Sequence, residues 1–266
     1  MNNPRGKTRI LVPLCGALIF LFLCMPILIT LPMSFSDSDT LQFPPSGFSL
    51  RWYENFVQSP VWVQAMSTSL QLAAVSSVIA LTLGSLAAYG LVRGNLVGSI
   101  GLEAHFMAPM IIPNIITAIA LYFAFAKLDM LGTFAGLVIA HALVAIPFVI
   151  TVVTGALRAF DVRIEQSARS LGAKWPRILL SIVIPNIYPA LFVAWIFSFV
   201  ISFDEVILTY FLSGTYVTIP KEMFTQLQEQ VDPTITAVSS LLIAGSLLLL
   251  LATARLSVRL ASENRG

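Results

Sequence analysis

Long apolar stretches separated by short polar segments are the dominant pattern along the chain. A helix needs about 20 apolar residues to cross the ~30 Å hydrocarbon layer of a bilayer. Six stretches reach or approach that length, at about 10–31, 66–91, 105–125, 133–153, 185–203 and 234–254. The pattern therefore predicts an all-α integral membrane protein with six transmembrane helices.

The polar segment of residues 34–65 is rich in turn-forming residues and predicts an external loop. Within it, a short amphipathic stretch carries the apolar residues Trp52, Tyr53, Phe56 and Val57. Amphipathic helices with such aromatic residues lie at the membrane surface. We therefore expect a short interfacial helix in this loop.

The third and fourth predicted spans contain three prolines: Pro109 and Pro113 in the third, and Pro147 in the fourth. A proline in a helix removes one backbone hydrogen bond and bends the helix. We expect fixed kinks, although a helix broken at mid-depth can also open a cavity.

Charged residues are few and unevenly placed. Hydrophobic residues make up 57% of the chain and charged residues 11%. This composition has too few polar residues to cover the surface of a protein in water. In a six-span topology, all of the 15 lysines and arginines except Arg51, Lys127 and Lys221 share one side. Cytoplasmic loops carry the excess of Lys and Arg, so we expect both termini in the cytoplasm. The net charge of +2 does not indicate a nucleic-acid partner.

Residues 161–177 form a polar segment between the fourth and fifth stretches, on the predicted cytoplasmic side. Ile164, Ala168 and Leu171 lie at helical spacing on one stripe. Gly172 tolerates positive φ at the end of such a helix, and Pro176 suits the first turn of the next. The segment predicts a helix, a bend and a second helix that leads into the fifth span. On these grounds alone, a docking surface and a solvated loop both remain open.

The spacing in this segment resembles the signature loop of permease subunits of ATP-binding-cassette (ABC) importers: E-A-A, three residues, G, nine residues, I-x-L-P. Gln166-Ser167-Ala168 stands at the first positions, Gly172 at the glycine and Ile182-Val183-Ile184-Pro185 at the end, with both gaps matching. The chain departs from the pattern at Gln166, Ser167 and Ile184. The resemblance implies a type I ABC importer permease fold in the bacterial inner membrane.

The same resemblance implies partners for the chain. These are a second permease subunit in a heterodimer, two copies of a cytoplasmic ATP-binding subunit, and a periplasmic solute-binding protein. ATP and Mg would be bound by the partner subunits, and no cofactor, metal or catalytic residue is expected here. The stretch Gly6-Lys7-Thr8 lacks the strand and glycine-rich loop that a phosphate loop requires.

The resemblance also implies which residues couple the chain to the ATPase. They are Glu165, Gln166, Ser167, Ala168, Arg169, Leu171, Gly172, Ala173, Lys174 and Pro185. Gln166 stands where the family usually has glutamate, which puts a charged contact at that position in doubt. The neighbouring Glu165 is an alternative for that contact.

The expected organisation has four parts. Residues 1–33 form an N-terminal cytoplasmic tail and the first transmembrane helix, and 34–65 a periplasmic loop with a short interfacial helix. Residues 66–256 form the core permease domain with five transmembrane helices and a coupling loop at 158–184. Residues 257–266 form a cytoplasmic tail.

The end of the fifth span contains the strongest candidates for contact with a solute. Asp204 and Glu205 follow an aromatic run, and ionisable groups at that depth are costly unless they face a protein-lined cavity. The stretches Ser202–Val206, Ser213–Thr215 and Ile219–Lys221 resemble the polyamine (spermidine/putrescine) subgroup of these permeases. Carboxylates there suit a cationic solute, whereas helix bracing or contact with a partner subunit is the alternative. Further pathway candidates are Trp195, Phe203, Asn114 and His141.

Other functions remain alternatives at this stage. The same importer class could carry an amino-acid-like compound or an organophosphonate, because specificity is set largely by the binding protein. A passive channel or carrier would not need the loop at 161–177. An intramembrane enzyme would need paired catalytic groups at one depth in the membrane. His141 and the scattered serines form no clear pair of this kind in the sequence.

Overall fold

The structure, a computed structural model, describes the backbone over residues 5–94, 96–229 and 232–263, and side chains over 12–94, 96–229, 232–249 and 251. Arg265 and the end of the predicted tail 257–266 lie outside this range. The described residues form helices and no strand, which confirms the all-α fold class. The helices are α1 (Arg5–Met33), α2 (Arg51–Gln58), α3 (Pro60–Arg93), α4 (Ser99–Ile111), α5 (Asn114–Lys127), α6 (Phe134–Ala159), α7 (Val162–Ser170), α8 (Trp175–Ile178), α9 (Ile184–Phe203), α10 (Ile207–Leu212), α11 (Ile219–Glu229) and α12 (Thr234–Glu263).

Four segments of the described residues are single helices long and apolar enough to cross a bilayer. They are Val12–Met33 in α1, α3, α6, and the segment Trp175–Phe203. The pair α4 and α5 makes a further apolar crossing if it counts as one bent span, and α12 is apolar over Thr234–Leu249. The count of six spans and the side of the termini stay predictions.

The predicted third span is broken rather than kinked. α4 and α5 are bent by 103° at the break between them. Pro113 disfavours helical geometry in the preceding residue, and Ile112 is extended with ψ 130°. Pro109 and Pro147 lie inside helices that continue past them. One of the three prolines therefore ends a helix, and the other two do not.

The fifth span begins earlier than the sequence predicts, because the helix is already formed at Trp175. Pro176 occupies the first turn of α8, where its missing N–H costs nothing. One π-helical turn, Leu179–Val183, connects α8 to α9. Pro185 crowds the carbonyl one turn before it, and the wider π turn accommodates that ring.

The described residues form two compact units, one from 61–224 with the end of α12 and one from 1–60 with 225–248. α6 is the central helix of the larger unit, since 67% of its most apolar window is buried. It packs against α4, α9 and α10. The α6 side chains Val149, Ile150 and Val153 form the middle of one buried cluster, and Leu137 and Val144 belong to a second.

The smaller unit contains the predicted interfacial helix, α2, which confirms that a helix forms there. The ring of Tyr53 packs 5.3 Å from Phe35, and its hydroxyl lies 2.7 Å from Ser34 Oγ. Asn55 Nδ2 donates to Thr234 Oγ1 at 2.7 Å, which ties α2 to the start of α12. These contacts fix the loop 34–50 at both ends.

Candidate functional site

The α7–α8 segment, residues 162–178, has the predicted shape of two helices joined by a bend. Asp161 begins α7 by accepting a hydrogen bond from the Arg163 backbone N–H at 2.9 Å. Gly172 ends it with φ +84°. The Gly172 N–H donates to Arg169 O and the Ala173 N–H to Ala168 O, which is the Schellman arrangement. Local residues therefore fix the bend.

Most of the residues predicted to couple to an ATPase lie on the outer face of this segment. Leu171 is 89% exposed, and Ile164 and Trp175 are also open to the surroundings. Besides Leu171, the predicted coupling residues exposed on this segment are Gln166, Ser167, Arg169, Gly172 and Lys174, and Pro185 is exposed at the start of α9. Ala168 and Ala173 are partly buried and pack against the core of α3, α6 and α9.

Glu165 differs from the other predicted coupling residues because its side chain points inward and is only 2% exposed. Its Oε1 accepts from Arg93 Nε at 2.8 Å, and its Oε2 accepts from the Tyr89 hydroxyl at 2.8 Å. Both partners lie on α3. The carboxylate is therefore occupied within the chain and is not presented on the outer face of α7.

The connection between α9 and α10 places Asp204 and Glu205 in different surroundings. Glu205 Oε1 accepts from the backbone N–H groups of Ile207 and Leu208 at 2.9 and 3.0 Å, so it caps α10. Its Oε2 accepts from Asn114 Nδ2 at 2.8 Å. Within the part of the chain that the structure describes, the exposed Asp204 carboxylate makes neither a hydrogen bond nor an ion pair.

Both carboxylates lie beyond the last residue of the fifth span. Neighbouring protein atoms remove part of the water around each, less around Asp204 than around Glu205, and this partial burial raises the pKa of each above its ordinary range. The hydrogen bonds from Leu208, Ile207 and Asn114 partly oppose this effect on the pKa of Glu205, and the nearby Asp204 charge adds to it. A cation beside the pair would lower both pKa values again. The pair is therefore electrostatically suited to a positively charged neighbour.

His141 lies inside the helix bundle, where it is 1% exposed. Its Nδ1 is 3.0 Å from both Ser202 O and Ser202 Oγ, and its Nε2 is 3.1 Å from Thr209 Oγ1. A carbonyl oxygen only accepts, so the bond to Ser202 O needs a proton on Nδ1. The imidazole thus links α6 to the end of α9 and to α10, on either side of Asp204 and Glu205.

The aromatic candidates lie on α9 and are both half-buried. Trp195 packs 6.0 Å from Phe192, and its indole N–H has no hydrogen-bond partner among the described residues. Phe203 stacks on Phe199 with ring centroids 6.0 Å apart. Phe203 directly precedes Asp204, whereas Trp195 lies more than two helical turns away along α9.

Comparison with known proteins identifies the class of this membrane protein. Residues 80–262 match the family described as the inner membrane component of binding-protein-dependent transport systems. The chain belongs to this family. It is a permease subunit of an ABC importer, located in the bacterial inner membrane, and the resemblance carried by residues 166–185 is confirmed.

Curated relatives match this permease over most of its length. The spermidine/putrescine transport system permease protein PotC of Escherichia coli K12 is 30% identical over 249 residues, which are 93% of the permease and 94% of the relative. The putrescine transport system permease protein PotI of the same strain is 32% identical over 256 residues, covering 92% and 90%.

Solved structures of ABC importers share the fold of the permease. A bacterial ABC transporter involved in the import of the acidic polysaccharide alginate matches with a TM-score of 0.71 at 15% identity, covering 97% of the permease and 98% of that chain. The MetNI methionine ABC transporter matches with a TM-score of 0.59 at 17% identity, covering 74% and 94%.

Three residues make structural contacts near these sites, although the sequence alone does not predict them as site residues. Arg93 and Tyr89 hold Glu165, and Lys221 Nζ donates to Ser213 Oγ at 2.6 Å and to Tyr216 O at 3.1 Å. Arg93 was visible only as one of the cytoplasmic cations. Lys221 belongs to the Ile219–Lys221 stretch that resembles the polyamine subgroup, but no local pattern indicates that its ammonium binds the loop of Ser213 and Tyr216.

Proposed function

We propose that this permease forms the membrane pathway for a small cationic, polyamine-like solute. A periplasmic binding protein delivers the solute, and two partner ATPase subunits drive its passage together with a second permease subunit. The PotC and PotI relatives, whose names specify spermidine and putrescine transport, support this solute class.

The observation that supports the proposal most directly is the contrast between Asp204 and Glu205. Glu205 is held by Asn114 and by the start of α10, whereas the Asp204 carboxylate has no partner among the described residues. An ammonium group is a natural partner for an exposed carboxylate that stands beside a second one. We assign the solute contact to Asp204 and the shaping of the site to Glu205 and Asn114. Phe203 and Trp195 are proposed as apolar walls of the same pathway.

The test compares isosteric neutralisations in the reconstituted importer. Asp204→Asn should lower spermidine uptake on the order of tenfold, because hydrogen bonds between charged groups contribute about 1.5–3 kcal/mol. Asp129→Asn, in the exposed connection after α5, is the matched control and should leave uptake unchanged. Membrane insertion and co-purification with the ATPase should be normal in both variants. Wild-type uptake kinetics in Asp204→Asn would remove the electrostatic proposal.

The alternative within the importer class is a different solute, either amino-acid-like or an organophosphonate. A thermal-shift screen of the cognate binding protein against spermidine, putrescine, amino acids and organophosphonates separates these. Stabilisation by amino acids or organophosphonates, and by neither polyamine, would contradict the polyamine proposal. Spermidine flux through the permease in liposomes lacking the ATPase would instead favour a passive channel.

We also propose that the α7–α8 segment docks into the ATPase through Gln166, Ser167, Arg169, Leu171 and Lys174, with Gly172 and Pro185 shaping it. The exposed apolar side chains Ile164 and Leu171 support this role, because such groups favour a protein partner over water. A cysteine placed at the exposed Ser167 should cross-link to the ATPase in a nucleotide-dependent pattern. A pattern that ignores nucleotide would contradict this coupling role.

A further inference from the structure

The buried carboxylate of Glu165 ties the α7–α8 segment to a helix that is remote from it in sequence. Glu165 uses both oxygens, one on Arg93 and one on Tyr89, and both of these residues lie at the end of α3. Tyr89 also packs edge-on against Trp175 of α8, with centroids 5.9 Å apart. Both helices of the segment therefore contact the same turn of α3.

Arg93 extends the same contact to the end of α6. Its Nη2 donates to Leu157 O at 2.9 Å and to Phe160 O at 3.0 Å. These carbonyls belong to the last turn of α6 and the residue after it, where a cation is favoured by the helix dipole. One guanidinium, 13% exposed, thus joins α3, α6 and α7.

The buried ion pair between Glu165 and Arg93 makes this cluster a rigid connection. A buried ion pair whose members are also hydrogen-bonded on their remaining atoms is costly to separate, because each charge would be left without a partner. By contrast, the ion pair between Glu103 and Arg158, at 3.8 Å, has side chains that are 45% and 65% exposed. Solvent-exposed pairs of that kind contribute little.

We propose that the Glu165–Arg93–Tyr89 cluster makes the α7–α8 segment and the ends of α3 and α6 move as one body during the ATP cycle. Covalent continuity connects the segment only to α6 and α9. The cluster adds α3, so that force applied at the docking face reaches a third transmembrane helix. Glu165 is a positioning residue in this scheme and makes no ATPase contact. The inference rests on the ATPase docking proposed above and is independent of the solute.

The test measures whether α3 follows α7 in the complete importer. Spin labels are placed at Leu83 of α3 and Ser170 of α7, with Cys15 and Cys24 replaced by serine. The distance between the labels is recorded without nucleotide and after trapping with ATP and vanadate. With the native cluster, we expect the same narrow distance distribution in both states. Glu165→Gln should make the distance differ between the two states, whereas Arg158→Gln, which breaks the exposed pair, should not.

A functional readout accompanies the distances. In Glu165→Gln, spermidine uptake per ATP hydrolysed should fall on the order of tenfold, because the remaining Arg93 charge is left without its partner. ATPase co-purification should persist. A purely structural role would lower assembly and leave this ratio unchanged, and that result would overturn the proposal. If spermidine proves not to be the solute, the distance experiment still decides, since it needs no solute.

A milder variant covers the case in which Glu165→Gln does not insert. Tyr89→Phe removes one hydrogen bond and keeps both charges, so the permease should still assemble. It should widen the label distance distribution in the vanadate-trapped state. Distances identical to those of the native permease, in Tyr89→Phe or in Glu165→Gln, would overturn the inference.

Discussion

Adjacent carboxylates at the end of α9 show how strongly surroundings decide the role of a residue. Glu205 satisfies the first N–H groups of α10, which otherwise have no partner in the helix. Glu205→Ala should therefore lower the stability of the permease by about 1 kcal/mol, the usual loss for a helix cap. Glu205→Gln keeps an accepting oxygen and should lose less. Thermal unfolding in detergent measures both, and equal losses would contradict the capping role.

The two histidines of the chain offer a matched pair of substitutions. His141 is buried and bonded to Ser202 and Thr209, whereas His105 is exposed on α4. His141→Leu leaves buried hydroxyl and carbonyl groups unpaired, at a cost of about 1–3 kcal/mol. His105→Leu should change stability little. If unfolding temperatures fall equally, the hydrogen bonds around His141 contribute nothing specific.

At the same scale, the sequence predicted which residues are unusual but not what they contact. Asp204 and Glu205 were indistinguishable as neighbours in a pattern. The difference comes from Asn114, which is 91 positions from Glu205 along the chain. Glu165 was placed with the docking residues for the same reason, because Tyr89 and Arg93 are 76 and 72 positions away. Contacts of this range leave no periodic signal.

Helix ends, unlike these long-range contacts, can be predicted from the sequence, because the residues that determine them are close together along the chain. The stripe of Ile164, Ala168 and Leu171, followed by Gly172 and Pro176, is sufficient to predict the helix, the bend and the second helix of the α7–α8 segment. The π turn at Leu179–Val183 was not predicted, since it depends on packing around Pro185 as well as on the proline itself. At Pro113 the sequence favours a kink and leaves a broken helix as the alternative, because a proline limits backbone geometry without setting an angle.

The broken third span gives a prediction at the level of elements. Pro113→Ala restores an N–H that can donate to Pro109 O, and it removes the restriction on Ile112. The two helices would then favour a straighter path, which moves Asn114 away from Glu205. Spermidine uptake should fall on the order of tenfold, which corresponds to the loss of one hydrogen bond to a charged group.

Pro109→Ala is the control for this prediction, because α4 already continues through Pro109. Uptake and expression should match those of the native permease. Should both alanine variants transport normally, the break between α4 and α5 would have no role in the pathway.

For the whole molecule, stability and function both depend on surfaces that this chain leaves open. None of the most apolar window of α1, Val12–Met33, is buried by the chain itself. Apolar helix surfaces of this kind face either lipid or another apolar helix. The fold of one chain therefore explains the contacts between its own helices. It does not show what covers the exposed apolar face of α1.

The docking face of the α7–α8 segment can be tested at this scale with a matched pair of charge insertions. Leu171→Asp places a carboxylate where an 89% exposed leucine is proposed to enter the ATPase. Burying a leucine contributes about 1.5–3 kcal/mol, so ATPase affinity should fall roughly tenfold or more. Val97→Asp changes an equally open apolar side chain in the turn after α3, outside the proposed face. ATPase co-purification and Kd should be native in Val97→Asp and reduced in Leu171→Asp; equal affinities in the two variants would exclude Leu171 from the docking surface.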